Sequence, residues 1–577
     1  MAWAASTVCE HRTTGAATNG GGFGGGVGTA QLSPTDLVCA KASLTITSAT
    51  GGFTAGMVGS TLNIASGTNF VPGQYTILSR TDTNTIAVDY SPCPAGAGSV
   101  GVGTVSAGID YSQQDAAQLA IADVTVTQAA PTTLTSTGGG FTAAMVGNLV
   151  YLAGGTGGTV TTGWYQITAY TSGTVVTIDR TCAPSAATVT AVTCNVGGAA
   201  YILDATLDTF MENSVPGNGH WVKAGTYTLT AALSIAAAGT AALPIWIKGF
   251  NATRGDAPTG ATRPLIAGGS NTLTLGSFWF VLYVYCTTTV SGGLALGGGS
   301  GAFYCRVVNS SSTTSRSGIS GSWYIQVAFC EVVSTLGNAI NFTSTNNNVR
   351  WCWLHDSSAG IAHTGNNGCT FLDCLIESCV TGNSATAPGM TTILGCTVVM
   401  SSDGVKHSSS STDLIGQNNQ IAYCTRGANW SGGTAQCSNY WDYNNWYGNG
   451  TDVTKVTKGP HDTASDPAFQ GLRSWTDFVV SAGNNKIVTS VTGGLSTYYQ
   501  AGDYIWFDAA TGWTSGAYLI NSVDSANQLT LNTSPAAVNV TGGIARTLRT
   551  SVGVSDCRLG EASNCRGAGI GLTLGVG

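Results

Sequence analysis

The chain has 577 residues, a net charge of −7, and only 8% charged residues, against about 25% in an ordinary soluble domain. With 80 glycines and 43% apolar residues, it is neither a coiled coil nor a helical repeat nor a disordered tail, and its glycines lack the three-residue period of collagen. Sparse Lys and Arg argue against a nucleic-acid partner, and no run approaches the about 18 apolar residues of a membrane span.

Residues 1–30 form an N-terminal arm. Met1-Ala2-Trp3-Ala4-Ala5-Ser6 has neither a basic run nor a long apolar run, so it does not read as a secretory leader. Residues 31–110 and 111–198 are expected to be two copies of one small antiparallel β module. Gly51-Gly52-Phe53-Thr54-Ala55 recurs as Gly139-Gly140-Phe141-Thr142-Ala143, and each is followed by short alternating runs and a Cys/Pro turn at Cys93 or Cys182. A helix-compatible stretch spans Ala205 to Met211. A third, weaker copy of the module, with its phrase at Thr492-Gly493-Gly494, is expected in 471–577 together with a Gly-rich tail.

Between the second and third copies, residues 199–470 follow another pattern. Cys305, Cys330, Cys352, Cys374, Cys396 and Cys424 recur in similar settings at steps of 25, 22, 22, 22 and 28 residues. One short strand per repeat, with Gly, Ser, Asn and Thr between strands, predicts a parallel β-helix of about 22 residues per coil. Alternation about each Cys groups Ala328/Cys330/Val332, Arg350/Cys352/Leu354, Leu372/Cys374/Ile376 and Leu394/Cys396/Val398 on the inner face. The six cysteines are therefore expected to form one interior column of unpaired thiols, which suits folding in a reducing cytoplasm.

This region resembles the right-handed parallel β-helix family of pectate-lyase-like proteins and phage tailspikes. The resemblance rests on Val222-Lys223-Ala224-Gly225-Thr226-Tyr227 at the start, and on Asn444-Asn445-Trp446-Tyr447, Gly459-Pro460-His461-Asp462 and Asp466-Pro467-Ala468-Phe469 at the end. Cys9-Glu10-His11-Arg12-Thr13-Thr14-Gly15, Asn19-Gly20-Gly21-Gly22-Phe23 and Asp110-Tyr111-Ser112-Gln113-Gln114-Asp115 resemble the start of many phage virion proteins. The resemblance implies an all-β protein on a virion surface, assembled in the host cytoplasm as a homotrimer. Its partners would be other capsid or tail proteins and host surface glycan.

The outward face beside the Cys column supplies the candidate glycan or subunit contacts: Trp351, Trp353, His355, Asp373 and Glu377. His355 and Glu377 are expected in one column a coil apart, about 5 Å, as an ion pair or an acid–base couple. No pair of carboxylates stands out at the separation that glycoside hydrolysis requires, so no catalytic residue is assigned. Pectate-lyase chemistry would need clustered Asp ligands for calcium with a basic residue beside them. Cys369, Cys374, Cys379 and His363 are a weak zinc pattern, because Cys374 belongs to the interior column. No metal or other cofactor is expected. The sequence favours a non-enzymatic structural protein of a tailed phage, as capsid decoration or spike; a polysaccharide-cutting or glycan-binding tailspike and a bacterial adhesin are the alternatives.

Overall fold

The structure, a computed structural model, describes Met211 and residues 8–13, 32–53, 61–105, 110–111, 117–127, 133–197, 214–408, 414–431, 439–552 and 554–555, apart from single positions and short loops within those ranges. It divides into two units, Met1–Ile266 with Gly276–Val284, and Ala267–Leu275 with Tyr285–Gly577. Among the described residues no helix is long and apolar enough to cross a membrane. The helix-compatible stretch lies outside the described residues except for Met211, as do parts of the N-terminal phrases.

The first unit holds two closed six-stranded barrels, running from Leu37–Cys39 to Gly98–Val105 and from Ala117–Val126 to Val189–Gly197. It also holds a parallel sheet in which Val8–His11, Gly219–Lys223, Ile245–Phe250 and Trp279–Leu282 pair in turn. The second unit ends in a third such barrel, from Arg473–Val480 to Gly543–Thr547. One polar device recurs in all three barrels. Ser48, Ser136 and Ser490 donate to Asp36, Asp123 and Asp477 at 2.5, 2.6 and 2.6 Å. The amides of Gly51, Gly139 and Gly493 donate back to the same serines. A left-handed residue near the start of the last strand also recurs, as Val100, Ala191 and Gly542, with φ of 52°, 53° and 73°.

The rest of the second unit is a parallel β-helix with three sheets. Sheet one runs from Gly301–Phe303 to Asn439–Asp442, sheet two from Tyr285–Thr288 to Asn445–Tyr447, and sheet three from Leu273–Leu275 to Thr451–Thr454. Register is regular: Val349 pairs with Phe371 and Phe371 with Ile393. The chain passes from sheet one to sheet two through a single left-handed residue. Phe329, Trp351, Asp373, Gly395 and Asn418 hold φ between 50° and 65° at successive corners. A non-glycine residue there costs roughly 1–2 kcal/mol, which ladder pairing on both sides of the corner offsets.

The residue after each of these corners turns inward. Cys305, Cys330, Cys352, Cys374 and Cys396 occupy that place, none of them in a disulfide and each at most 1% exposed. Thiols of Cys330, Cys352, Cys374 and Cys396 donate to the carbonyl two residues back, at 3.2 to 3.5 Å. Cys424 departs from the expected single column. It follows the next corner, between sheets two and three, where Tyr423 has φ 56°, and it shares that setting with Cys379, which follows Ser378 at φ 52°. Asn419 takes the place after Cys396, and its side-chain oxygen accepts from the Cys396 amide at 2.9 Å. The 28-residue step therefore crosses from one column to another. The corners also correct the inward groupings: alternation does not run through a left-handed residue. Val332, Leu354, Ile376 and Val398 are buried as expected, whereas Ala328, Arg350, Leu372 and Leu394, in register with one another, lie on the outer face of sheet one, where Arg350 is exposed.

Candidate functional site

The five outward candidates divide between two places. Trp353, His355 and Glu377 lie on sheet two, with His355 in register with Glu377 one coil on. All three are buried, because the third barrel covers this face. Trp353, Leu375, Val399, Met400, Ala422 and Tyr423 pack with Trp506 and Leu548 from the barrel side in one apolar cluster.

At the edge of that seam is a cluster of charges. Asp356 takes the corner after His355 (φ 49°) and turns its carboxylate to the barrel. It pairs with Arg549, accepts from the Tyr504 amide at 2.6 Å, and lies 2.5 Å from His355 Nδ1. Arg549 also donates to Asp503 at 2.5 Å. His355 Nε2 is 3.5 Å from Glu331 Oε1, and Arg306 closes the chain on Glu331 at 3.0 Å. Glu377 accepts from the Trp353 indole at 3.2 Å. Burial alone would lower the His355 pKa, but the two carboxylates outweigh it and raise it to about 9. Burial raises Asp503 to about 6 against the pull of Arg549. His355 and Glu377 thus both lie buried among these charges, in register on adjacent coils. No local pattern marks the partners Arg549 and Asp503, which lie more than a hundred residues beyond Asp356.

Trp351 and Asp373 remain at the corner between sheets one and two, on the uncovered side. Tyr304, Phe329 and Trp351 stack on successive coils, with ring centroids 4.7 and 4.8 Å apart and planes within 2° and 19°. Asp373 continues the column and accepts from Trp351; burial raises its pKa while that hydrogen bond lowers it. Beside this stack, on the outer face of sheet one, Phe303, Ala328 and Arg350 stand in register. Ala328 is the short member between two long ones, and its missing bulk leaves a depression of about 220 Å³. Phe303, Phe329 and Trp351 line it together with Gln326, Asn348 and Arg350. Arg350 is exposed and has no ion-pair partner among the described residues. This is a small, open site of apolar walls with a few polar groups, the composition of a ligand subsite. Ala328 and Phe303 were not singled out from sequence: an alanine between a phenylalanine and an arginine is visible only once the coils are in register.

The zinc pattern does not assemble. Cys369 is a strand residue of sheet one, while Cys374 and Cys379 follow two different corners. Among the described residues no three of His, Cys, Asp and Glu are grouped to hold a metal ion.

A protein-family model described as periplasmic copper-binding protein (NosD) matches residues 287–464. The described residues there do not fit a copper site, since the column thiols Cys352 and Cys374 are buried and donate to backbone carbonyls and no three of His, Cys, Asp and Glu are grouped. No curated protein matches the chain. Among solved structures, a rhamnogalacturonan lyase is similar at 12% identity and TM-score 0.32, over 46% of this chain and 86% of that one. A tailspike protein of the Acinetobacter baumannii bacteriophage Fri1, a capsular polysaccharide depolymerase, is similar at 8% identity and TM-score 0.29, over 67% and 92%. Pectate lyase Pel9A is similar at 11% identity and TM-score 0.27, over 44% and 67%. The parallel β-helix itself is read from the three parallel sheets and their coil-to-coil register.

Proposed function

We propose that this protein is a non-enzymatic component of a tailed-phage virion surface, assembled as a homotrimer, that binds host polysaccharide at the Ala328 depression. The observation that carries the reading is the depression itself: three aromatic side chains, two amides and an unpaired guanidinium around one small floor residue. Aromatic walls suit the apolar C–H faces of a sugar ring, and Gln326, Asn348 and Arg350 suit its oxygens. Binding without cleavage is supported by the fate of the carboxylates. Glu331, Asp356 and Glu377 are buried and engaged under the third barrel. Asp373, at the rim, has Trp351 and Gly395 as its corner neighbours, so adjacent coils do not bring it the second carboxylate that hydrolysis needs. The virion setting is supported by the terminal phrases and by the low charge, which favours close packing in a repeated outer layer.

The test is calorimetric titration of the purified full chain with polysaccharide from candidate hosts, with product analysis alongside. Saturable binding that Trp351→Ala weakens at least tenfold, without new reducing ends or unsaturated uronate, is expected. Release of either product would overturn the non-enzymatic reading. Binding that Trp351→Ala leaves untouched would overturn the site.

A further inference from the structure

His355 is the central member of the charged seam. Asp356 faces its Nδ1 and Glu331 its Nε2, Trp353 stacks on its ring at 3.9 Å, and Glu377 is its neighbour in the next coil. From the barrel side, Arg549 and Asp503 complete the set, with Tyr499 under the Arg549 guanidinium and Tyr504 bonded to Asp356. Arg306 stands behind Glu331. When all are ionised, Glu331, Asp356, Glu377 and Asp503 are opposed by Arg306, Arg549 and a protonated His355. Removing the histidine proton leaves a larger uncompensated negative charge in a site only a few per cent exposed, which is costly unless water enters.

Water can enter most easily at the seam. Each β-helix coil is held by ladders to the coils on either side, whereas the barrel side is held through side chains. These are the Asp356 contacts, Tyr504 Oη to the Thr335 carbonyl at 2.7 Å, Thr425 to Ser515 at 2.8 Å, and the apolar cluster around Trp506. We propose that the proton on His355 locks the third barrel onto sheet two, and that losing it frees the barrel as a folded unit and uncovers Trp353, Leu375 and Val399. The sign follows from linkage. The pKa of His355 is raised in the folded state, so its contribution is complete below about 6.5 and fades as pH rises through about 9. The fold thus contains a switch that exposes a second aromatic face in alkaline surroundings.

The experiment is hydrogen exchange on the full chain between pH 6 and 10, corrected for intrinsic rates. Protection of the Tyr504 amide, which donates to Asp356, is expected to fall on the order of a hundredfold. The amides of Val480 and Leu531, inside the barrel, are expected to keep theirs. Glu331→Gln removes the carboxylate facing Nε2 and is expected to move the transition to lower pH while docking at pH 6 survives. His355→Gln is expected to abolish the transition. Parallel loss of protection in the barrel core would overturn the lock, because the barrel would then be unfolding. So would a wild-type Tyr504 amide that stays protected to pH 10, or a Glu331→Gln variant with an unmoved transition.

Discussion

Arg549 and Asp356, 193 positions apart, form an ion pair in which both side chains are at most 2% exposed. It ties the segment after the last barrel strand to a β-helix corner. Arg549→Ala would leave Asp356 and Asp503 buried without their common cation. Breaking a buried pair from one side costs about 3–5 kcal/mol. The expected outcome in urea denaturation is an early transition reporting loss of the seam, ahead of the β-helix. Asp356→Asn combined with Arg549→Met should recover part of the loss, since Asn tolerates the left-handed corner and neither side chain then carries a buried charge. A double variant as weak as the sum of its single variants would show that the two residues act independently.

The depression makes a steric prediction. Ala328 is its floor, and its side chain points to the outer face between Phe303 and Arg350. Ala328→Phe fills the space from outside the packed interior, so stability is expected to change by less than about 1 kcal/mol while glycan binding is lost. Arg350→Gln should weaken binding less than Trp351→Ala and make what remains less sensitive to salt. Calorimetry and thermal melting on the same samples separate the two effects.

The architecture was legible because one residue type marks the coil. Cys330, Cys352, Cys374 and Cys396 each follow a corner, so the 22-residue step showed directly in the sequence. The corner itself was not legible: Phe329, Trp351 and Asp373 are chemically unlike, and nothing local marks them as left-handed. Missing it misassigned Arg350 to the interior and merged Cys424 into the wrong column. The candidate site was legible as a list of outward residues but not as a surface. Which outward residues meet water depends on the barrel at 473–547, whose contact with sheet two rests on pairs such as Tyr504 with Asp356 that no local pattern encodes.

The thiol columns predict a labelling pattern. Burial raises the thiols of Cys286 and Cys424 to about 12, and those of Cys352 and Cys396 also rise. Thiolate is the reactive species. Cys374 goes the other way, because hydrogen bonds with Cys352 and Cys396 outweigh its burial and lower it. Protection of the column therefore rests on access: all six thiols are at most 2% exposed. Iodoacetamide at pH 8 is expected to leave Cys305, Cys330, Cys352, Cys374, Cys396 and Cys424 unmodified in the native chain and to modify all six in denaturant. Mass spectrometry of the peptides reads this directly. Rapid native labelling of Cys352 or Cys374 would show that the solenoid interior opens.

Acid titration tests the seam from the other side. The pKa values of Glu331 and Asp356 lie below their usual range. Burial pushes each carboxyl up, but His355 for Glu331, and Arg549 with His355 for Asp356, outweigh it. A carboxylate with a depressed folded pKa stabilises the fold above its unfolded value and loses that contribution as pH falls through the folded one. Seam stability is thus expected to fall progressively below about pH 4.5. Asp503 carries the opposite sign. Its folded pKa is raised to about 6, so protonation between pH 7 and 5 strengthens the fold and ionisation above 6 weakens it. Thermal melting of the full chain should therefore show the seam transition rising from pH 7 to about 5 and falling below about 4.5. Asp503→Asn should flatten the first limb and leave the second. A variant that keeps the rise between pH 7 and 5 would assign it to a group other than Asp503.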